Sequence, residues 1–282
     1  MEASVHQLRA PRRAQPRKDG RFDLAYIRNR VASMLRLYTE EHGPLSPPVN
    51  VEALGEACSV LKIESRHLIP EGVIGVVPGG FEIYLQDNFL ASPAAVIRQR
   101  FTLAHELCHT FFYDVTPRAA PTLSREVPPE ATVEHLCHIG AGQLLIPDSL
   151  LSLELRRLGT VSTAAQVLEL AGKFQTSPET TMRRVQEFNS LSQSDSAVIL
   201  VNSALPEHRI MATCVGQWLL TYSHKTPKIA SKLEDWLAPL LGPSGTIGPD
   251  WQASKSQFAL ELRKVNRPDA KSSYFIEVRR CV

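Results

Sequence analysis

Apolar positions recur at three- and four-residue spacing from Asp23 to His42. Leu24, Ile27, Val31, Met34, Leu35 and Tyr38 form a helical stripe, and Gly43-Pro44 ends it. Asn50 is placed to cap a second helix, Val51 to Cys58. "LKIESRHLI", "GVIGVV" and "FEIYL" are rich in β-branched and aromatic residues and read as strands, with Gly79-Gly80 signalling a hairpin between the last two. Ser92-Pro93 supplies an N-cap and a first-turn proline for a long helix from Pro93 to about Phe112. After the proline-rich loop "TPRAAPTLSREVPPE", a further helix is predicted from Glu130 to Leu145, closed by Pro147.

The pattern changes beyond Pro147. Helices at about 148–158 and 163–173 lead into "FQTSPETTMRRVQEF", where Pro178 opens one more helix with Arg183 and Arg184 expected to face outward. Helix, short polar turn and helix make a helix-turn-helix outline. The polar linker "NSLSQSDS" precedes strand-like runs at Ala197–Val201, Ile210–Val215, Trp218–Tyr222, Phe258–Arg263 and Tyr274–Val278, with one helix, Ile229 to Leu241, among them. The fold class expected is α+β, without internal repeats. The expected divisions are a disordered basic tail (1–22), a first globular domain (23–150), a helix-turn-helix-like segment (151–190) and a C-terminal α+β domain (191–282).

Composition changes this picture little. The chain has 282 residues, 43% hydrophobic and 21% charged, with a net charge of +2, which gives no push toward nucleic acid or membrane. The positive charge is concentrated at the start: Arg9, Arg12, Arg13, Arg17, Lys18 and Arg21 stand against Glu2 and Asp19 alone. That stretch reads as a solvated tail. No segment is long and apolar enough to cross a bilayer, and no apolar core follows the basic start, so a secretory signal is not expected. The five cysteines, Cys58, Cys108, Cys137, Cys214 and Cys281, are widely spaced and suit reduced thiols in a cytoplasm.

The chemistry enters with "FTLAHELCHTFF". His105 and His109 stand four apart on a helix, so their side chains stack on one face and can reach one zinc ion. Glu106 is turned aside from that face and suits a general base acting on water at the metal. The flanking Phe101, Leu103, Ala104, Leu107, Phe111 and Phe112 bury the helix, and three buried polar groups are costly without partners. A third ligand is expected from "ATVEHLCHIGAGQLLIP". Glu134 leads, with His135 and His138 as alternatives; Gly140-Ala141-Gly142 would let this helix lie close to the motif helix. His138, one turn beyond Glu134, is placed to hold a ligand or a bound water. Tyr113, His135 and His138 are the candidates for an extra hydrogen bond to a developing oxyanion. "FEIYL" is a candidate for backbone pairing with an extended substrate. Cys108 and Cys137 read as small buried hydrophobes rather than as redox switches.

"RQRFTLAHELCH" followed by "VEHLCHIGAGQLLIP" resembles the ImmA/IrrE family of bacterial zinc metallopeptidases over roughly residues 25 to 150. The resemblance implies a zincin-like domain of the thermolysin-like gluzincin type, with His105, His109 and Glu134 on zinc and Glu106 as the base. His138 stands where that family usually carries asparagine. The layout resembles the IrrE-like subset, which implies a helix-turn-helix-like segment and a GAF-like sensor domain after the peptidase. It also implies site-specific cleavage of a helix-turn-helix repressor, releasing stress-response or mobile-element genes. The alternative is a DNA-binding regulator, or an antitoxin-type interaction protein, with an inactive peptidase domain. The few base-reading residues of the "SPETTMRRVQEF" helix weigh against the first, and the presence of Glu106 against the second.

Overall fold

The computed structural model describes residues 22–87, 92–159, 161 and 163–188 in full, and the strands 196–202, 209–215, 251–255, 258–265 and 273–280 by their backbone. The basic tail, most of the polar linker, the Trp218–Tyr222 run and the Ile229–Leu241 helix lie outside the described residues. The described residues form two compact units divided after Leu150, with Phe174–Thr176 counted in the first. The architecture is α+β, with a small mixed sheet and packed helices.

In the first unit, helix α1 (Leu24–His42) starts where the Asp23 carboxylate accepts the Tyr26 N–H at 2.9 Å, and stops at Gly43, whose φ of 84° only glycine adopts readily. Ile27, Val31 and Met34 carry its buried face. Helix α2 (Val51–Glu56) is capped by Asn50 as expected, but ends two residues before Cys58. The chain there tightens into a turn, with Cys58 N–H on Gly55 O and Ser59 in the left-handed region at φ 59°.

Strands β1 (Val60–Arg66), β2 (Gly72–Val77) and β3 (Gly80–Gln86) form a sheet ordered β1-β3-β2. β2 and β3 are an antiparallel hairpin, and β1 runs parallel to β3. This corrects one expectation: "FEIYL" lies in the central strand, flanked on both sides, so a substrate strand has no room to pair with it. The hairpin turn is Pro78-Gly79, with Gly79 at φ 89°. Gly80 serves another purpose. A Cβ there would lie 2.0 Å from Ser59 O, because Phe81 N–H bonds that same carbonyl at 3.0 Å to join the sheet to the end of α2.

Helix α3 (Pro93–His109) is capped by Ser92 and opened by Pro93, and every residue from Thr102 to Cys108 is buried. The α-helix yields to a single 3₁₀ turn over Thr110–Phe112, where the Thr110 hydroxyl bonds Leu107 O at 2.6 Å. The chain then makes two short paired strands, β4 (Tyr113–Asp114) and β5 (Thr122–Leu123), before α4 (Glu130–Leu145). α3 packs on β2 and β3 on one side and on α4 on the other. The close approach of α3 and α4 runs through Gly140. A Cβ there would sit 2.7 Å from Cys108 Sγ and 3.2 Å from Ile27 Cγ2.

The second unit holds most of α5 (Asp148–Leu158) and of α6 (Ala164–Phe174) and all of α7 (Pro178–Phe188). Buried Glu154 of α5 accepts bonds from Lys173 of α6 and, at 3.1 Å, from Arg157, which also pairs with Glu169. On α7 the expectation of two outward arginines is half corrected. Arg183 is exposed and paired with Glu179 at 2.9 Å, but Arg184 is 3% exposed and paired with Glu187 at 2.6 Å. It lies beside Met182 and Val185 on the buried face, so its guanidinium is held by its own helix. The five C-terminal strands, β6 (Ser196–Asn202), β7 (Arg209–Val215), β8 (Trp251–Lys255), β9 (Phe258–Val265) and β10 (Ser273–Arg280), form an antiparallel sheet ordered β7-β6-β10-β9-β8. β8 was not expected from the sequence, because "WQASK" has neither an apolar run nor a full alternation.

Candidate metal centre

The i, i+4 spacing on α3 brings His105 and His109 together, with their Nε2 atoms 3.1 Å apart. Glu134 comes from α4, whose approach depends on Gly140. Its Oε2 lies 3.1 Å from His105 Nε2 and its Oε1 3.4 Å from His109 Nε2. Two imidazole nitrogens and the two oxygens of one carboxylate therefore face one another. A tetrahedral ion with bonds of about 2.0–2.1 Å needs ligand atoms roughly 3.3–3.4 Å apart. Two imidazole nitrogens and a carboxylate at these separations fit such an ion, and the donor types suit a borderline divalent metal.

The electrostatics agree with the geometry. Burial depresses His105 to a pKa of about 4, with nearby His138 adding to the effect, and depresses His109 to about 4 through burial and then the neighbouring His105. Both rings are thus neutral at pH 7 and offer lone pairs. His105 Nδ1 is buried without a protein hydrogen-bond partner, so the ring's usable nitrogen is the one facing Glu134 and His109. Glu106 is 8% exposed; burial, reinforced by the charge of Glu134, raises its pKa to about 7. A carboxylate poised there can take up and release a proton at neutral pH.

Glu106 is seated by a residue that the sequence reading passed over. A Cβ on Gly72 of β2 would lie 2.9 Å from Glu106 Oε1 and 2.6 Å from Thr102 Cγ2. The preceding Glu71 pairs with Arg98 of α3 at 3.2 Å, and its backbone oxygen accepts Gln86 N–H at 3.0 Å. The signal was a glycine inside a strand, which often marks close approach of another group.

The remaining candidates separate. His138 joins the cluster: one of its ring nitrogens lies within 4.8 Å of donor atoms of both His105 and Glu134. His135 is exposed, and the Tyr113 ring stands edge-on to Phe81 with centroids 5.4 Å apart. Neither hydrogen-bonds or stacks with the donor cluster. Cys108 and Cys137 are buried, and burial drives both thiols well above their usual pKa, so they pack as small apolar groups. Cys58, half-buried, is pushed up to about 11 for the same reason.

An α+β unit in which an HExxH helix and a glutamate-bearing helix converge has the make-up of a metallopeptidase. Residues 89–186 match the model of the IrrE N-terminal-like domain, Peptidase_M78, so that region carries a domain of the ImmA/IrrE metallopeptidase family. The matched region contains both site helices and continues through most of α7, whereas the resemblance read from the motifs ends near residue 150. A search of curated proteins found no match.

Proposed function

We propose that this chain is a zinc-dependent endopeptidase that cleaves a partner protein at a defined site, with His105, His109 and Glu134 as ligands and Glu106 as general base. The observation that carries this reading is the convergence of two imidazole nitrogens and the Glu134 carboxylate at 3.1–3.4 Å beside the buried Glu106. Zinc, when bound, supplies a Lewis acid for the scissile carbonyl and for the attacking water. Glu106 takes the water's proton on its carboxylate and delivers it to the leaving amine. Burial keeps His105 and His109 unprotonated for their role. An extended substrate pairs with β2, an edge strand whose Gly72 borders Glu106, rather than with the enclosed β3.

The substrate class proposed is a helix-turn-helix repressor whose loss releases stress-response or mobile-element genes in the cytoplasm. That choice rests on the family alone. The C-terminal unit, with its five-stranded antiparallel sheet, is read as a GAF-like sensor domain that governs when cleavage occurs. The test is metal analysis of the purified protein, followed by incubation with a repressor encoded beside its gene and mass spectrometry of the products. One zinc per chain and one cut in the wild type, with zinc but no cut in Glu106→Gln, is the expected result. Cleavage by Glu106→Gln at the wild-type rate would refute the mechanism.

A further inference from the structure

The donor cluster holds one more group than the proposed ligand set uses. His138 follows Glu134 by one turn of α4, and its Nδ1 lies 2.8 Å from the Glu134 backbone oxygen. A carbonyl oxygen only accepts, so this bond fixes the ring hydrogen on Nδ1. With that hydrogen on Nδ1, Nε2 is the nitrogen left to offer a lone pair. Such a nitrogen cannot donate to a developing oxyanion, but it can bind a metal. The ring is steadied by edge-on contact with His105, centroids 4.6 Å apart, and by Phe101 at 5.7 Å. A His138 ring nitrogen already lies within 4.8 Å of donor atoms of His105 and Glu134, so a movement of the ring can bring it to a metal held by those residues. His138 is also exposed, so its ring can swing outward without disturbing the core.

We propose that His138 is an exchangeable fourth ligand. It closes the metal's last position in the resting protein and leaves when a substrate takes that position. This rests on the metal-site reading above and adds a form of self-restraint to it. Three protein ligands leave a metal open to substrate, whereas four close it. The resting protein is then latent.

The test uses the full chain, wild type and His138→Ala, loaded with zinc and separately with cobalt(II). Zinc affinity is measured by chelator competition, and the cobalt absorption spectrum is titrated with acetohydroxamate, a small bidentate metal ligand. His138→Ala is expected to bind one metal with affinity at least about tenfold weaker. Its cobalt spectrum should respond to acetohydroxamate at a concentration at least about tenfold lower than wild type, because the position is already free. His138→Gln, similar in length and able to keep a hydrogen bond to the Glu134 carbonyl, should behave like the alanine variant. Equal affinities and equal acetohydroxamate midpoints would overturn the fourth-ligand role and leave the three-ligand site standing. A weaker affinity with an unchanged midpoint would also overturn it, since that marks mere orientation of Glu134. A wild-type chain that binds no stoichiometric metal would remove the site itself.

Discussion

Helices α3, α5 and α7 all bury charged or polar side chains, yet they resolve the cost in different ways. On α5–α7 each buried group finds its complement within the unit. Glu154 takes Lys173 and Arg157, and Arg184 takes Glu187. On α3 the polar groups turn toward one another and toward a half-buried carboxylate of α4: His105, His109 and Glu134. A single divalent cation would satisfy the two imidazoles and the carboxylate together, whereas α5 and α7 rely on cations that the chain itself supplies. Burial alone does not separate a structural polar group from a functional one. The sign of its neighbours does.

The contrast can be tested in order of expected effect. Glu106→Gln should lower cleavage by roughly 10²–10⁴-fold while zinc content stays at the wild-type level, measured by product formation and metal analysis on one preparation. His105→Ala should weaken zinc binding more than His138→Ala does, measured by chelator competition, because it removes a ligand of the proposed resident set. Gly72→Ala sits between the two regimes. The added methyl collides with Glu106 and Thr102, so the rate constant of the chemical step should fall by about 10²-fold, as misplacement by an ångström costs, with zinc retained. Retention of full activity would show that the carboxylate has another seat.

In the helical unit the effects are on stability. Glu154→Ala should cost about 1–3 kcal/mol in denaturant unfolding and leave zinc binding unchanged. Lys173, with Arg157 assisting, holds the Glu154 carboxyl below its usual 4.5 against the opposing effect of burial. The ionised form is therefore favoured by folding, and its contribution is complete above pH 4.5 and lost as pH falls below that value. Melting temperatures of wild type and Glu154→Gln should accordingly converge in acid and separate above it. Arg183→Ala, at an exposed pair, should shift stability by less than about 0.5 kcal/mol.

What could be read in advance divides along the range of the interactions involved. The helices were legible because their signals are local: Asp23, Asn50 and Ser92 cap α1, α2 and α3, and the stripe Ile27, Val31, Met34 repeats with the helical period. The motif pair His105 and His109 was legible for the same reason. The position of "FEIYL" in the sheet was not, because parallel pairing with β1 depends on residues some twenty positions away. Gly80 looked like half of a turn, and its contact with Ser59 O is invisible without the fold. Gly72 lies 34 residues before Glu106, and nothing near it in the chain announces the carboxylate. The inward turn of Arg184 shows the limit of residue type as a guide, since a partner one turn away makes burial of a guanidinium tolerable.

Gly140 carries no functional group, yet it sets the gauge of the metal centre. A single hydrogen atom at that position is the spacer between α4 and the Cys108 side chain of α3. A methyl group would prise the two helices apart and carry Glu134 with it, away from two histidines fixed to the other helix. A metal site tolerates only about 0.2 Å in its ligand distances, less than the thickness of that methyl. In a scan of every substitution, position 140 should therefore be as unforgiving as the ligands themselves, a case of chemistry calibrated by the absence of a side chain.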